Sequence, residues 1–328
     1  MRLASKVLAG EISAAAKLIS GIEDETPAAL EEMNHIYPHT GKAYIIGVTG
    51  SPGAGKSTLT NNLIDLFRRE NRTVGVIAID PTSAFTGGAI LGDRVRMQKH
   101  SDDKDVFIRS LATRGWVGGL AKATLGAIHV MDAMGKDIIL VETVGSGQIE
   151  IDVTRAADTT LIVMTPGFGD EIQMMKAGIL ESADIFVINK ADKGGADILK
   201  ANLEVMLSMK SRLHDEWQPD IVLTEAIYGK GTEELAKEIL RHKEYLDSSG
   251  ELEKRQKDRA KLELMETVES FVKDFIHGID KGDYLEKIVA ALAEGKTNPR
   301  YAALEITGRL ANDLCRLRTS DKTGKKPV

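Results

Sequence analysis

The stretch Gly50-Ser51-Pro52-Gly53-Ala54-Gly55-Lys56-Ser57 decides the fold of this chain. It matches the pattern G-x-x-x-x-G-K-[S/T] and lies between the apolar run YIIGVT at 44–49 and a helical run that begins at 57. A glycine-rich loop in this setting points backbone N–H groups at a bound anion, and the dipole of the helix strengthens the attraction. The alternative is a glycine-rich turn with a chance lysine, and the flanking strand and helix favour the phosphate-binding loop.

The loop assigns roles to individual side chains. We expect Lys56 to reach the terminal phosphates of a nucleotide and to take part in catalysis, and the Ser57 hydroxyl to bind Mg²⁺. The predicted nucleotide-binding residues of this segment are Gly50, Ser51, Pro52, Gly53, Ala54, Gly55, Lys56, Ser57 and Thr58.

Short apolar runs rich in β-branched residues alternate with longer helical segments on both sides of the loop. Continuous apolar strands separated by helices are typical of a parallel sheet that is covered on both faces. The pattern therefore predicts an α/β protein, a P-loop NTPase with a mostly parallel central sheet flanked by helices. The predicted strands are 44–49, 73–80, 105–110, 137–143, 159–165, 184–190 and 220–226.

The chain has room for more than this core. It has 328 residues, and we predict an N-terminal helical extension over 1–42, a P-loop domain over 43–247, a C-terminal helical segment over 248–318 and a flexible tail over 319–328. Fewer than ~70 helical residues rarely form a sufficient core alone. The C-terminal segment is therefore expected to pack on the α/β domain or on a second subunit.

Composition excludes several partners. The formal net charge of -6 disfavours non-specific binding to nucleic acid. No run approaches the ~18 apolar residues of a membrane span. The single cysteine, Cys315, excludes an intramolecular disulfide and fits a reducing cytosol. We expect a cytoplasmic protein that binds neither nucleic acid nor membrane.

Carboxylates at strand ends are the candidates for a cation site. Glu142 lies at the end of the run DIILVET and begins Glu-Thr-Val-Gly, the position at which phosphate-binding NTPases sense the γ-phosphate and Mg²⁺. Many such proteins have Asp there, so Glu142 is a departure. Asp80 ends the run TVGVIAID, and Asp93 lies in a glycine-bearing loop; either could hold Mg²⁺ directly or through water. The alternatives are a solvated strand-end glutamate, and helix-cap or turn carboxylates.

The motif Asn189-Lys190-Ala191-Asp192 indicates which base is bound. A carboxylate can accept two hydrogen bonds together from guanine N1–H and the 2-amino group, and adenine presents no such pair of donors. Lys190 can lie over the base, while Asn189 ties neighbouring loops together. The sequence therefore predicts GTP and GDP as the nucleotides. A further loop after the last strand, Glu225-Ala226-Ile227, stands where Ser-Ala is usual, and a backbone contact from Ala226 to the base is possible.

With these elements in order, the chain resembles the MeaB/ArgK-like family of G proteins, relatives of the human methylmalonic aciduria type A protein. The segments that carry the resemblance are GVTGSPGAGKSTL at 47–59, VIAIDPTSAFTGGAILGDRVRM at 76–97, FIRSLATRGWVGGLAKAT at 107–124, ILVETVGSGQIEIDV at 139–153, TPGFGDEIQMMKAGILESAD at 165–184 and NKAD at 189–192.

The resemblance implies a GTPase chaperone of an adenosylcobalamin-dependent acyl-CoA mutase, which gates loading of that cofactor and protects the mutase. It also implies a homodimer formed through the C-terminal helical arm, and a slow GTPase that the mutase stimulates. By motif, Asp93 and Glu142 would belong to the Mg²⁺ and switch apparatus, and Lys176 to a mobile loop. Gln148 invites comparison with a water-orienting glutamine, and it joins Lys56 and Glu142 as a candidate catalytic residue.

Two features depart from the family pattern, and two other functions stay open. Trp116 stands where the family often has a smaller or polar residue, and the Glu225-Ala226 loop is unusual. Both leave open which acyl-CoA mutase is the partner. A nickel-type metal-delivery GTPase usually has Cys and His clusters, which are not evident around Cys315 or in the pair His35 and His39. A P-loop kinase shares the phosphate loop, but the guanine motif disfavours it.

Overall fold

The structure is a computed structural model that describes residues 2–80, 98–100, 102–112, 119–143, 153–167, 182–209, 217–279 and 284–309. Within these ranges every predicted apolar run forms a strand, and the strands build one seven-stranded sheet. The strands are β1 Tyr44–Gly50, β2 Val74–Asp80, β3 Val106–Ala112, β4 Ile138–Thr143, β5 Thr159–Met164, β6 Ile185–Asn189 and β7 Asp220–Thr224.

All neighbouring strands of the sheet pair in parallel, in the order β3-β2-β4-β1-β5-β6-β7. The residues of β1, β4, β5 and β6 are buried throughout, as expected for strands covered on both faces. The predicted α/β fold is therefore confirmed. Because the strands are parallel, their carboxyl ends meet at one edge, and β1 lies where the chain changes direction across the sheet, the usual position of a ligand site.

One face of the sheet is covered by the three N-terminal helices and by a helix from the middle of the chain. The three helices α1 Leu3–Leu8, α2 Ile12–Glu23 and α3 Pro27–Ile36 pack with α5 Gly119–Ala133 in one apolar cluster. In α2 the buried residues Ala15, Leu18, Ile19 and Ile22 recur at helical spacing. Helix α3 begins at Pro27, whose missing N–H costs little in the first turn, and the Thr26 hydroxyl accepts a hydrogen bond from the Ala29 N–H.

The opposite face is covered by helices that follow the strand ends. Helix α4 Lys56–Arg69 follows β1, and α7 Thr232–Ser249 follows β7; both contribute to one core cluster. Helix α6 Ala196–Met209 lies on the first face instead. Its Leu199 and Leu203 pack with Phe186 of β6, whereas the neighbouring Ile185 and Val187 point into the cluster of α4 and α7.

The C-terminal part of the described chain is helical. Helix α8 Glu251–Ile279 is followed by α9 Tyr284–Ala293, and residues 299–309 are also helical. The chain divides into two compact units, Met1–Lys261 and Leu262–Val328. Within the second unit, the Tyr284 hydroxyl donates to Glu305, and the Arg309 guanidinium lies 3.6 Å from the Tyr284 ring centre. None of the described helices is both long enough and apolar enough to cross a membrane.

Two arginines fix the start of α8 to the amino edge of the sheet, opposite the carboxyl ends. Arg255 makes two hydrogen bonds to the buried Asp184 carboxylate, at 2.8 and 2.9 Å. Arg259, one helical turn later, lies 3.0 Å from Asp158, which is 1% exposed and also accepts from the Ile45 N–H. These contacts bind α8 to the residues that immediately precede β5 and β6.

A buried histidine extends this network. His242 of α7 is fully buried and hydrogen-bonds through Nδ1 to the Thr159 hydroxyl at 2.7 Å, which in turn contacts the Tyr44 hydroxyl. Its Nε2 lies 3.4 Å from Asp184, and the Trp217 ring packs on the imidazole. Burial lowers the pKa of His242 to about 4, so the imidazole is neutral at neutral pH.

Candidate functional site

The phosphate loop adopts a conformation that two of its glycines make possible. Gly50 and Gly55 have φ of 137° and 92°, values that other residues rarely adopt. A Cβ at Gly50 would lie 2.0 Å from the Val163 carbonyl oxygen, and one at Gly55 would lie 2.3 Å from Asn189 Nδ2. The loop therefore requires glycine at both positions, and at Gly55 the contact with the distant Asn-Lys-x-Asp motif adds to the requirement set by φ.

Lys56 begins α4 and points back into the loop that precedes it. Its ammonium donates to the carbonyl oxygens of Gly50 and Ser51, at 2.7 and 2.9 Å, and the residue is 5% exposed. A buried ammonium surrounded by loop backbone provides a fixed positive charge for an anion that enters the loop.

Ser57 and Glu142 meet although 85 positions separate them. The Ser57 hydroxyl donates to Glu142 Oε1 at 2.5 Å, and Glu142 is 5% exposed. Strand pairing explains the contact, because Glu142 of β4 lies opposite Val48 of β1, just before the loop. A second hydroxyl contact joins the same two strands, from Thr143 to Thr49 at 3.0 Å. The pair Ser57 and Glu142 offers the hard oxygen atoms that Mg²⁺ prefers.

Asn189 connects three segments of the site. Its Nδ2 donates to the Ala54 carbonyl in the phosphate loop at 2.7 Å. Its Oδ1 accepts from the Thr224 hydroxyl at 3.1 Å and from the Ala226 N–H at 3.0 Å. The predicted tie between neighbouring loops is thus a set of three hydrogen bonds made by one buried side chain.

The rest of the guanine motif lies at the opening of the same cleft. Lys190 has φ of 57° and donates through its ammonium to the Gly53 carbonyl at 2.7 Å. Asp192 is exposed. Ile227 and Tyr228, in a short 3₁₀ helix over Ala226–Tyr228, are 78% and 68% exposed.

A cleft of about 590 Å³ brings both motifs together. The predicted residues that line it are Gly53, Gly55, Lys56, Ser57, Thr58, Glu142, Asn189, Lys190, Asp192, Glu225, Ala226 and Ile227. Gly50, Ser51, Pro52 and Ala54 belong to the loop but are not among the residues that line the cleft. The arrangement can hold an extended ligand with an anionic end at Lys56 and a hydrogen-bonding end at Asp192.

Several predicted residues lie beyond what the structure describes. Asp93, Gln148 and Lys176 fall outside the described ranges, as does Trp116. Asp80 ends β2, whose neighbour β4 carries Glu142, and its side chain also lies outside the described part.

The cleft also contains residues that sequence reasoning missed. Thr143, Lys193 and Tyr228 line it, and each directly adjoins a predicted motif residue or loop. Behind the cleft, the Asn62 side chain of α4 donates to the Ala226 carbonyl at 2.7 Å. Adjacency could have suggested the first three, whereas no pattern in the sequence pairs Asn62 with position 226.

The fold and this cleft define a class of protein. A phosphate loop after β1 of a parallel sheet, together with an Asn-Lys-x-Asp motif facing the same cleft, is the arrangement of a P-loop GTPase. A profile of the family described as "Methylmalonyl Co-A mutase-associated GTPase MeaB" matches residues 15–279. The chain belongs to the MeaB family of GTPases.

Individual relatives agree with this assignment. A protein of Pyrococcus abyssi that is named as a GTPase is 48% identical over 303 residues, which cover 92% of this chain and 94% of the relative. The GTPase ArgK of Escherichia coli is 33% identical over 306 residues, covering 91% and 92% of the two chains. The crystal structure of a protein named LAO/AO transport system kinase superimposes with a TM-score of 0.70 at 26% identity, covering 94% of this chain and 96% of that one.

Proposed function

We propose that this GTPase is a chaperone of an adenosylcobalamin-dependent acyl-CoA mutase, methylmalonyl-CoA mutase or a close relative, and that GTP hydrolysis gates loading of the mutase with its cofactor. One observation supports a GTP-driven role: the cleft that Lys56, Ser57 and Glu142 line is also lined by Asn189 and Asp192. The choice of a mutase as the partner rests on the description of the matching family, which names a mutase-associated GTPase.

In this proposal the chain's own residues position GTP rather than react with it. Phosphoryl transfer to water needs orientation of the reactants and neutralisation of charge more than covalent chemistry. Lys56 and the loop N–H groups hold the phosphates, while Asp192 and Lys190 hold the base. Ser57 and Glu142, whose oxygens lie 2.5 Å apart, would hold Mg²⁺; Asp80 and Asp93 are proposed as further ligands. When bound, the cation neutralises phosphate charge.

A slow rate in the isolated protein follows if the group that orients the attacking water is assembled only in the complex. Gln148 is proposed for that position, with Lys176 as a further contact on a loop that the mutase would order. GTP would then act as a timer for the assembly between GTPase and mutase.

Turnover measured with and without candidate mutases tests the timer. We expect a cognate adenosylcobalamin-dependent mutase to raise the GTP turnover of the wild-type protein by about an order of magnitude or more. The Lys56→Ala variant should show no such stimulation. An affinity pull-down from native extract, with and without a non-hydrolysable GTP analogue, should recover the same mutase. Equal turnover with every tested mutase, and no mutase in the pull-down, would contradict the proposal.

We also propose that the segment 248–318 is a dimerisation arm. Helix α8 carries Leu264, Val268 and Phe271 on one face, and their exposed fractions are 62%, 48% and 62%. Three large apolar side chains at i, i+4 and i+7 on an exposed helix are typical of a surface that a partner covers. Light scattering should give a dimer for the wild type and a monomer for Phe271→Glu, while Lys273→Glu, an exposed position on the opposite face of the same helix, stays dimeric. A wild-type monomer at all concentrations would contradict the arm.

A further inference from the structure

Two asparagine side chains bind the backbone of Ala226, one at its N–H and one at its carbonyl. The Ala226 N–H donates to Asn189 Oδ1 at 3.0 Å. The Ala226 carbonyl accepts from Asn62 Nδ2 at 2.7 Å and from the Gly229 N–H at 3.2 Å. The backbone groups of Ala226 are therefore occupied within the protein, and a base that needs a donor from this loop must find it at the next residue.

The Ile227 N–H is available for that contact. The first N–H groups of a helix have no partner within it, and this 3₁₀ helix begins at Ala226. Among the hydrogen bonds of the described residues, Tyr228 donates to the Glu225 carbonyl, and none involves the Ile227 N–H. Ile227 lines the cleft together with Asp192.

Asn62 and the Gly229 N–H together hold the Ala226 carbonyl, and so they orient the Ile227 N–H. The Ala226 carbonyl and the Ile227 N–H belong to one planar trans peptide, in which the C=O and N–H bonds point in opposite directions. Asn62 lies on α4 and draws the carbonyl towards that helix, so the N–H is directed away from α4. Asp192 can accept hydrogen bonds from N1–H and the 2-amino group of guanine, but it cannot satisfy the 6-oxo group, which is an acceptor.

We propose that Asn62 is a positioning residue for base recognition: it fixes the Ala226–Ile227 peptide so that the Ile227 N–H donates to the 6-oxo group of guanine. The inference rests on the proposed binding of GTP in this cleft. It assigns the 2-amino and N1–H groups to Asp192 and the 6-oxo group to a backbone donor that Asn62 orients.

The affinities of three nucleotides, GTP and two analogues, test the contact at the 2-amino group and the contact at the 6-oxo group separately. Inosine triphosphate lacks the 2-amino group but keeps the 6-oxo group. 6-Thioguanosine triphosphate keeps the 2-amino group and N1–H but has sulfur, a weaker acceptor, at position 6. For the wild type we expect GTP to bind more tightly than either analogue, by about fivefold for the 6-thio compound, the value of one neutral hydrogen bond.

In Asn62→Ala, GTP should bind about fivefold more weakly than in the wild type, and its advantage over 6-thioguanosine triphosphate should fall to about one. The advantage of GTP over inosine triphosphate should stay at the wild-type value. Asn62→Asp, which places an acceptor against the Ala226 carbonyl, should have at least the same effect. Asn202→Ala is the control, because Asn202 is an exposed asparagine on the separate helix α6.

Two results would overturn the inference. One is a wild type that binds GTP and its 6-thio analogue equally while still preferring GTP to inosine triphosphate, because the guanine site would then exist without a donor at position 6. The other is an Asn62→Ala variant in which all three affinities fall by one factor or none falls, since a purely structural role predicts no change in their ratios. A wild type without preference for GTP over inosine triphosphate and ATP would instead contradict the proposed guanine site.

Discussion

The two edges of the sheet use polar side chains in different ways. At the amino edge, Asp158 and Asp184 are buried and pair with Arg259 and Arg255 of α8. At the carboxyl edge, Lys56 and Lys190 donate to backbone carbonyls of the phosphate loop. Paired charges at the first edge hold a helix in place, and cations bonded to neutral carbonyls at the second can exchange those bonds for a phosphate or a base. Substitutions at the amino edge should therefore change stability, and those at the carboxyl edge should change ligand affinity.

The largest effect is expected from Lys56→Ala at the carboxyl edge. Removing the buried ammonium should lower GTP turnover on the order of a thousandfold, because the terminal phosphates lose their fixed positive charge. Phosphate release under saturating GTP measures the effect. Lys200→Ala on α6 is the matched control and should retain wild-type turnover. Turnover within a few-fold of the wild type in Lys56→Ala would show that the lysine is not part of the reaction site.

At the amino edge, Arg259→Met should destabilise the protein by about 3–5 kcal/mol. Asp158 is 1% exposed, so loss of the arginine leaves a buried carboxylate without its cation. Urea unfolding measures the change, and Asp158→Asn in the same chain should restore part of it. Lys257→Met, which removes a fully solvated pair on the same helix, serves as the control and should leave the midpoint unchanged. A similar small shift for both variants would contradict the division between the two edges.

Asp192→Asn should change which base is bound and leave stability unaffected. Replacing the carboxylate removes the acceptor for N1–H and the 2-amino group, so GTP affinity should fall by about 2–3 kcal/mol, roughly 30- to 160-fold. Xanthosine triphosphate has a carbonyl at position 2, to which the new amide can donate, and its affinity should rise. Competition between labelled nucleotides gives both values. If GTP stays the preferred ligand of the variant, Asp192 does not contact the base.

The smallest effect is expected from His242 and depends on pH. Burial lowers the folded-state pKa of His242 to about 4, below its ordinary 6.5. Between these values the unfolded chain binds a proton that the folded protein does not, so stability is lost as the pH falls from about 6.5 towards 4. The expected loss between about pH 7 and pH 5 is about 2 kcal/mol.

His242→Phe keeps a ring against Trp217 and removes the titrating group. Between about pH 7 and pH 5, the free energy of unfolding should therefore decrease by about 2 kcal/mol less in this variant than in the wild type. Asp184 and Arg255 adjoin the imidazole and remain in the variant, so their own contributions stay in both measurements. An identical pH dependence in the wild type and the variant would show that another group carries the titration.

The sequence predicted the fold because its strands are short, apolar and bounded by turn residues. The fixed spacing of Gly50, Lys56 and Ser57, and of Asn189 and Asp192, also placed the two motifs at strand ends, where a parallel sheet brings them to one edge. Such local patterns can be predicted because residues close in the sequence determine the local backbone conformation.

Contacts between distant side chains could not be predicted in the same way. Asn62 and Ala226 are 164 positions apart, and their contact depends on how α4 packs against the short 3₁₀ helix that follows β7. The ion pair between Arg255 and Asp184 could not be predicted for the same reason. An arginine on a helix has many possible partners until the packing of that helix is known. The roles of Asp80, Asp93, Gln148 and Lys176 stay predictions.

Calorimetric titration with GTP and with ATP, each in the presence of Mg²⁺, tests most directly whether the lysine of the phosphate loop and the aspartate of the base motif bind one guanosine triphosphate. We predict one GTP site per chain, with ATP binding at least about a hundredfold more weakly, because adenine cannot donate the two hydrogen bonds that Asp192 accepts. Equal affinity for the two nucleotides, or binding of neither, would contradict this account.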